Sequence, residues 1–127
     1  MQQYLWIPGP LPGTNEMLAA CRQRRGKGSA YSQLKAKWTA DIATWARNAR
    51  LAKMNGTVKL ELFWMEPNRK RDPDNIHAGV KLILDGLVAA GVLADDTQKT
   101  IGRIEHHPIE IDAKEPGVTV EMEDLQV

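Results

Sequence analysis

The stretch from Thr57 to Met65 alternates apolar and polar residues, and this pattern constrains the fold more than any other. Apolar side chains occupy every second position across Val58–Trp64, and Lys59 and Glu61 lie between them. A period of two is typical of a β-strand with one buried face. Such a strand needs pairing partners and a layer that covers its apolar face, so a sheet is required.

Two longer segments repeat their apolar residues at the three-and-four spacing of an amphipathic helix. The first covers Tyr31–Leu51. The second covers Asp74–Ala90 and ends at Gly91, a C-terminal cap signal. The remaining predicted elements are a short helix over Asn15–Arg22 and strands over Gln3–Ile7, Thr100–Glu105 and Val118–Glu123.

These elements predict one domain over residues 1–127, of mixed α/β (α+β) class. We expect about four strands in a mixed sheet and two long helices, with Trp6 and Trp64 in the core. A length of 127 residues suits one such domain. No apolar run approaches the ~20 residues of a membrane span. The single cysteine, Cys21, excludes an intrachain disulfide, so we expect a cytoplasmic protein.

The charge is divided unequally along the chain. Residues 1–71 contain 13 Lys and Arg against 4 Asp and Glu, a net charge of +9. Residues 72–127 contain 4 against 12, a net charge of −8. The two halves can interleave in a fold, which would disperse the asymmetry. A basic half beside an acidic half also suits a phosphate-binding surface around a cation site.

The boundary between these halves falls within the sequence RKRDPDN, where Asp72 and Asp74 flank Pro73. One interpretation is structural: Asp is a good N-cap and Pro is favoured at the first helical position. The other interpretation is that the two carboxylates hold a cation. Sequence alone leaves both open.

A second carboxylate pair, Asp95 and Asp96, follows the same predicted helix, and Lys81 lies two helical turns after Asp74. Magnesium is usually held by a few carboxylates, water and phosphate oxygens. Asp72, Asp74 and one carboxylate of the later pair would form such a site, beside a lysine that stabilises charge. This pattern is typical of metal-assisted phosphodiester hydrolysis.

These residues resemble the RusA family of Holliday junction resolvases. The resemblance rests on Asp72-Pro73-Asp74-Asn75, on Leu84-Asp85-Gly86-Leu87 and on Asp96, eleven residues after Asp85. It implies a RusA-like fold and a homodimeric crossover junction endodeoxyribonuclease, common in phages and prophages, that nicks four-way DNA junctions symmetrically. It further implies that Asp72, Asp74 and Asp96 are catalytic ligands of Mg²⁺, with Mn²⁺ as a substitute.

The family's catalytic lysine follows its Asp-x-Asp-Asn motif closely, and at that offset this chain has Ala78. The spacings from Lys81 to Asp85 and from Asp85 to Asp96 do fit the family pattern. We therefore interpret the chain as having about three extra residues before Lys81 and predict Lys81 as the catalytic lysine. His77 or Lys70 is the substitute if Lys81 points away.

Two basic segments are candidate DNA contacts, with an exposed solvated loop as the alternative for each. They comprise Arg69, Lys70 and Arg71, and Arg22, Arg24, Arg25 and Lys27. His106 and His107 are predicted to have a structural or surface role, because no cysteine or further histidine completes a zinc set.

Three alternatives to the resolvase remain. One is a catalytically weak or inactive junction-binding protein of the same fold, and another is a nuclease acting on other branched nucleic acid. The third is a purely structural domain without a ligand.

Overall fold

The structure is a computed structural model that describes residues 1–25 and 28–125. It is a small α+β domain built around a mixed sheet. The elements in chain order are β1 (Gln2–Pro8), α1 (Thr14–Cys21), β2 (Arg24–Arg25), β3 (Gly28–Ser29), α2 (Ala30–Asn48), β4 (Val58–Glu66), α3 (Pro73–His77), α4 (Val80–Ala89), β5 (Ile101–His106), β6 (Glu110–Ile111) and β7 (Gly117–Asp124).

The main sheet has five strands, with β7 between β1 and β4 and antiparallel to both. On its other side β4 pairs with β5 and then with β6, both in parallel. Parallel neighbours need a crossover connection, and α3 and α4 provide it between β4 and β5. A separate two-residue pairing joins β2 to β3.

The alternation predicted for residues 57–65 is confirmed by β4, in which every second residue is buried from Val58 to Glu66. Helices α2 and α4 pack closely against each other, and their apolar residues join the sheet in one core. Gly86 permits this approach, because a Cβ there would lie 2.4 Å from Cγ2 of Ile42.

The opposite face of the sheet is less covered. Lys59, Glu61 and Phe63 of β4 are only partly buried. The prediction that Trp6 lies in the core is wrong, since its side chain is 40% exposed. Its neighbours Leu5 and Ile7 alternate with it and take the buried face of β1, which leaves Trp6 on the other side.

The predicted single helix over residues 74–90 is also wrong, because α3 ends at His77 and α4 begins at Val80. Across the junction, the Gly79 N–H donates to the Ile76 carbonyl and the Leu82 N–H donates to the Gly79 carbonyl, both at 3.1 Å. These are the tighter i→i+3 bonds of a 3₁₀ turn. The predicted end is confirmed: Gly91 has φ +78, and the next N–H closes a Schellman bond.

Short pairings escaped the sequence analysis. The basic segment predicted as a loop contains β2 and β3, and β6 lies in a region assigned no strand. Two residues are too few to show the apolar–polar alternation by which a strand is recognised in sequence. Among residues 1–25 and 28–125, no helix combines the length and apolar character that crossing a bilayer requires.

Candidate functional site

Asp72 occupies the N-cap position of α3, with Pro73 at the first helical position. Its backbone has the extended conformation of an N-cap, yet its carboxylate makes no capping hydrogen bond. Asp74 follows in the first turn, and both side chains are exposed. Within the described part of the chain, neither carboxylate has a hydrogen bond or an ion pair. The position of Asp72 is therefore structural, whereas its carboxylate remains available.

Asn75 of the same motif is buried and fixes α3 in place. Its Oδ1 accepts a hydrogen bond from the backbone N–H of Asn15, at 3.0 Å, near the start of α1. Gly13 passes so close that a Cβ there would lie 2.3 Å from the Asn75 carbonyl oxygen and from Oδ1. The backbone around Gly13 and Asn15 therefore packs directly against the Asp72–Asn75 segment and holds it in position.

Arg71, one residue before Asp72, is held entirely by internal partners. Its Nε and Nη2 donate to the two oxygens of Glu66, at 2.9 and 2.8 Å. Its Nη1 donates to the Leu11 carbonyl at 2.9 Å and to Glu16 at 3.0 Å. The hydrogen bond to Glu66 is the main reason that the pKa of Arg71 is raised. This side chain anchors the loop that presents Asp72, and its predicted DNA contact stays a prediction.

Lys81 joins two carboxylates from different segments. Its Nζ lies 3.1 Å from Oδ1 of Asp85 and 3.1 Å from Oδ2 of Asp96. Hydrogen bonds to Asp96 and then to Asp85 raise the pKa of Lys81, so its ammonium charge is stabilised. The structure thereby brings together two of the predicted site residues, Lys81 and Asp96.

Asp95, the neighbour of Asp96, has a different task. Its Oδ1 accepts from the backbone N–H of Thr97 at 3.0 Å and from the Thr97 hydroxyl at 2.6 Å. The hydroxyl bond is the main cause of the lowered pKa of Asp95. Asp95 therefore shapes the turn after α4, and this leaves Asp96 as the member of the pair that faces Lys81.

The three predicted metal ligands differ in how they suit a hard cation. Asp72 and Asp74 offer exposed carboxylates that make no hydrogen bond or ion pair among residues 1–25 and 28–125, and oxygen is the ligand that magnesium prefers. Lys81 donates to Oδ2 of Asp96, so Asp96 can offer its other carboxylate oxygen to a cation. The carboxylate oxygens of these three aspartates do not all lie within 4.8 Å of one another, whereas the ligand atoms of another group in the described residues do. The magnesium site on Asp72, Asp74 and Asp96 therefore stays a prediction.

The group that does gather in this way consists of Glu61, Glu105 and His107. All three side chains are partly buried, and their ligand atoms lie within 4.8 Å of one another. This group could hold a metal ion. Sequence spacing gives no signal for this group, because its ligands are a histidine and two glutamates brought together from separate parts of the chain.

A second feature that sequence did not indicate is a stack of aromatic rings beneath α3. The His77 and His106 rings stack with centroids 3.9 Å apart, and Trp64 Nε1 donates to His106 Nδ1 at 2.9 Å. Burial lowers the pKa of both histidines, and for His106 the charge of His77 adds to this effect. His77 thus packs in the stack, while Lys81, for which it was the predicted substitute, contacts two aspartates.

The remaining basic candidates are only partly described. Arg69 and Lys70 are exposed in the loop before Asp72, and Arg22 is exposed at the end of α1. Arg24 and Arg25 form β2, and Lys27 lies outside the described residues. Their DNA contacts stay predictions. No protein-family model matches the chain, and a search of curated proteins finds no match.

Proposed function

We propose that this protein is a metal-dependent endodeoxyribonuclease with a RusA-like fold that resolves Holliday junctions by paired symmetric nicks. The observation that carries the proposal is the contact between Lys81 and Asp96, which are 15 residues apart. It brings the predicted catalytic lysine to a predicted ligand. Both residues were assigned from the resemblance to the RusA family, and their contact supports that resemblance.

The junction between α3 and α4 supports the same assignment. The extra residues inferred between Asn75 and Lys81, about three in number, belong to the stretch in which the helix is interrupted, after His77 and before Val80. Glycine suits position 79, because the Cβ of any other residue would lie only 3.2 Å from the Trp64 ring. Lys81 reaches Asp96 despite this interruption, which supports its assignment as the counterpart of the family lysine.

Each residue of the site has a proposed role. Asp72, Asp74 and Asp96 would hold Mg²⁺, or Mn²⁺ in its place. The bound cation supplies charge neutralisation at the phosphodiester and activation of a water molecule. Lys81 carries a fixed positive charge that stabilises the leaving oxygen. Arg69 and Lys70, next to Asp72 in an exposed loop, would contact phosphates and orient the strand.

Symmetric cleavage of a four-way junction requires two active sites related by a two-fold axis, so the proposal includes a homodimer. The basic segment Arg22–Lys27 and the loop before Asp72 would then both face DNA. Light scattering at working protein concentration tests this part directly. A protein that has the mass of one chain, and that binds junction DNA as one chain per junction, would contradict it.

A second candidate is a junction-binding protein of the same fold with little or no nuclease activity. It is favoured by the separation of Asp72, Asp74 and Asp96, which do not form a compact ligand cluster without a cation. A nuclease acting on flaps or forks is the neighbouring alternative, since the branch shape would be read by the whole dimer surface.

The decisive experiment is cleavage of a labelled synthetic four-way junction, with linear duplex as the control substrate. Magnesium is compared with EDTA, and the wild type with Asp74→Asn. Asp41→Asn is a matched control, because it removes one partly exposed carboxylate from α2, outside the proposed site.

Paired nicks that need magnesium, spare the duplex and vanish only in Asp74→Asn are the expected result. Tight junction binding without nicks in either metal would select the binding protein. Nicks of equal yield on flaps or forks would select the broader nuclease, and nicking that survives Asp74→Asn would remove this site from the proposal.

A further inference from the structure

The pairing of β4 with β5 places two glutamates side by side, away from the proposed nuclease residues. Glu61 and Glu105 are direct partners in the parallel register. His107 follows β5, and its backbone N–H donates to the Leu62 carbonyl at 2.9 Å. The strand pairing therefore fixes the backbone at all three positions, which a binding site requires.

The side chains converge. Nε2 of His107 lies 3.0 Å from Oε1 of Glu61, a separation that suits two ligands of one metal ion. The His107 ring stacks on Phe63 with centroids 4.0 Å apart and planes 15° apart, which holds its orientation. Together with Glu105, the group offers one imidazole nitrogen and two carboxylates within 4.8 Å.

The charges around this group are balanced in part by close contacts, since the imidazole of the group hydrogen-bonds Glu61 and Arg103 pairs with Glu105. Glu61 faces Glu105 on one side and Glu121 of β7 on the other, and like charges directly opposite each other are unfavourable in a sheet. Lys59 lies between the two site carboxylates, with its Nζ 3.8 Å from each of them. These distances exceed those of hydrogen bonds, so Lys59 compensates the charges without occupying the ligand positions. Arg103 approaches only Glu105, at 2.8 Å.

We propose that Glu61, Glu105 and His107 bind a first-row transition metal ion of the Zn²⁺ type. An imidazole with carboxylates favours such an ion, whereas magnesium prefers oxygen ligands alone. This site is separate from the three aspartates and does not depend on the proposed nuclease activity. Lys59 is the competing cation shared by both carboxylates, and Arg103 competes at Glu105. Both weaken the affinity for the metal.

A metal bound here would link β4 to the segment that follows β5. Because β5 pairs only with β4 along the main sheet, the link fastens a strand held on one side. Binding to the folded chain alone raises its stability with the logarithm of metal concentration once that concentration exceeds Kd. A Zn²⁺-dependent rise in the unfolding midpoint is therefore expected, whether or not DNA is present.

The test is calorimetric titration of the full-length chain with Zn²⁺, using Cys21→Ser as the parent to remove the exposed thiol. Glu105→Gln and His107→Gln should each weaken binding at least about tenfold, since even supporting residues of metal sites matter to this extent. His106→Gln removes the neighbouring imidazole and should leave the affinity unchanged.

Lys59→Met gives a result that misfolding cannot imitate, because it should tighten Zn²⁺ binding. One saturable site with these opposite changes is the expected outcome. The proposal is overturned if the parent shows no saturable binding, if His107→Gln or Glu105→Gln binds as the parent does, or if Lys59→Met does not bind more tightly.

Discussion

Arg71 and Asp72 are adjacent in sequence, yet the structure uses their charges in opposite ways. Arg71 is bound on all sides, and its partner Glu66 has a side chain only 4% exposed. Asp72 is exposed, and its carboxylate has no hydrogen bond or ion pair within the described residues. A run of charges can thus contain one residue that holds the fold together beside another that is free to bind a ligand.

The same contrast separates the two lysine-containing clusters. Lys81 bridges Asp85 and Asp96 at hydrogen-bond distance on the surface. Lys59 stays 3.8 Å from both of its carboxylates. Close pairing fixes Lys81 against one carboxylate oxygen of each aspartate. Distant pairing leaves Oε2 of Glu61 and Oε2 of Glu105 without a hydrogen bond to Lys59.

Removing Arg71 should have the largest effect on folding. Arg71→Ala leaves Glu66 as a buried charge without its partner, which should lower the free energy of unfolding by about 3 kcal/mol. Urea denaturation measures the change. Arg69→Ala removes an exposed arginine from the same loop and should cost less than about 0.5 kcal/mol. Equal losses in the two variants would erase the distinction between anchoring and exposed charges.

Lys81→Met should mainly reduce activity. We expect junction nicking to fall about 100-fold through lost charge stabilisation, with a stability change below about 1 kcal/mol because Lys81 itself is exposed and Asp85 keeps Lys35 as a neighbour. Lys37→Met is the matched control, since Lys37 pairs with Asp41 across one helical turn at 3.0 Å. If both variants nick junctions alike, Lys81 is only a surface partner of Asp85 and Asp96.

The His77–His106 stack should make stability depend on pH. Burial lowers the pKa of both rings below the usual 6.5, so the unfolded chain binds protons in a range where the folded chain does not. The stability that the neutral pair contributes is complete above pH 6.5 and is lost as the pH falls below it. Protonation of His106 at Nδ1 would also abolish the hydrogen bond from Trp64, because Nδ1 could no longer accept the Trp64 N–H.

His77→Phe tests this origin, because it keeps a flat ring against His106 and removes a titrating group. The urea midpoint should then decline less between pH 6.5 and about pH 5 than in the wild type. A decline of unchanged steepness would assign the pH dependence to other groups.

Asp72→Ala should have the smallest effect on folding. Its carboxylate makes no capping bond, so we expect a loss below about 0.5 kcal/mol, less than a working N-cap contributes. Ser29 provides the comparison, because its Oγ accepts from the Ser32 N–H at the start of α2. Ser29→Ala should cost about 1 kcal/mol in the same denaturation experiment. A larger loss for Asp72→Ala would restore the capping interpretation.

Local patterns predicted the long elements well. The alternation in β4 and the apolar stripe of α2 could be recognised because each continues for several periods. The break at Gly79 was missed because the apolar spacing of Ile76, Val80 and Ile83 continues across it. The close approach of the Trp64 ring, 3.2 Å from a Cβ built at Gly79, depends on tertiary packing. The sequence did contain a signal for Glu66, which continues the buried register of β4 and therefore needs a charged partner.

The candidate sites were predictable to different degrees. Lys81, Asp85 and Asp96 lie on one helix and the turn after it, so spacing was informative. Glu61 and His107 are 46 residues apart, and their contact depends on the parallel register of β4 and β5. No spacing rule within one segment specifies such a register, because it is set by which strands meet across the sheet.

The central position of β7 has a consequence for how the chain folds during synthesis. Residues 117–124 separate β1 from β4, although β1 is made first and β4 midway. β4 can pair with β5 and β6 earlier, but β1 cannot join the sheet, and β4 cannot complete its other side, until β7 has left the ribosome. Contacts of such high sequence separation slow folding. A ribosome that pauses within β7 would hold a chain with helices formed but its sheet still open, exposed to chaperones and proteases.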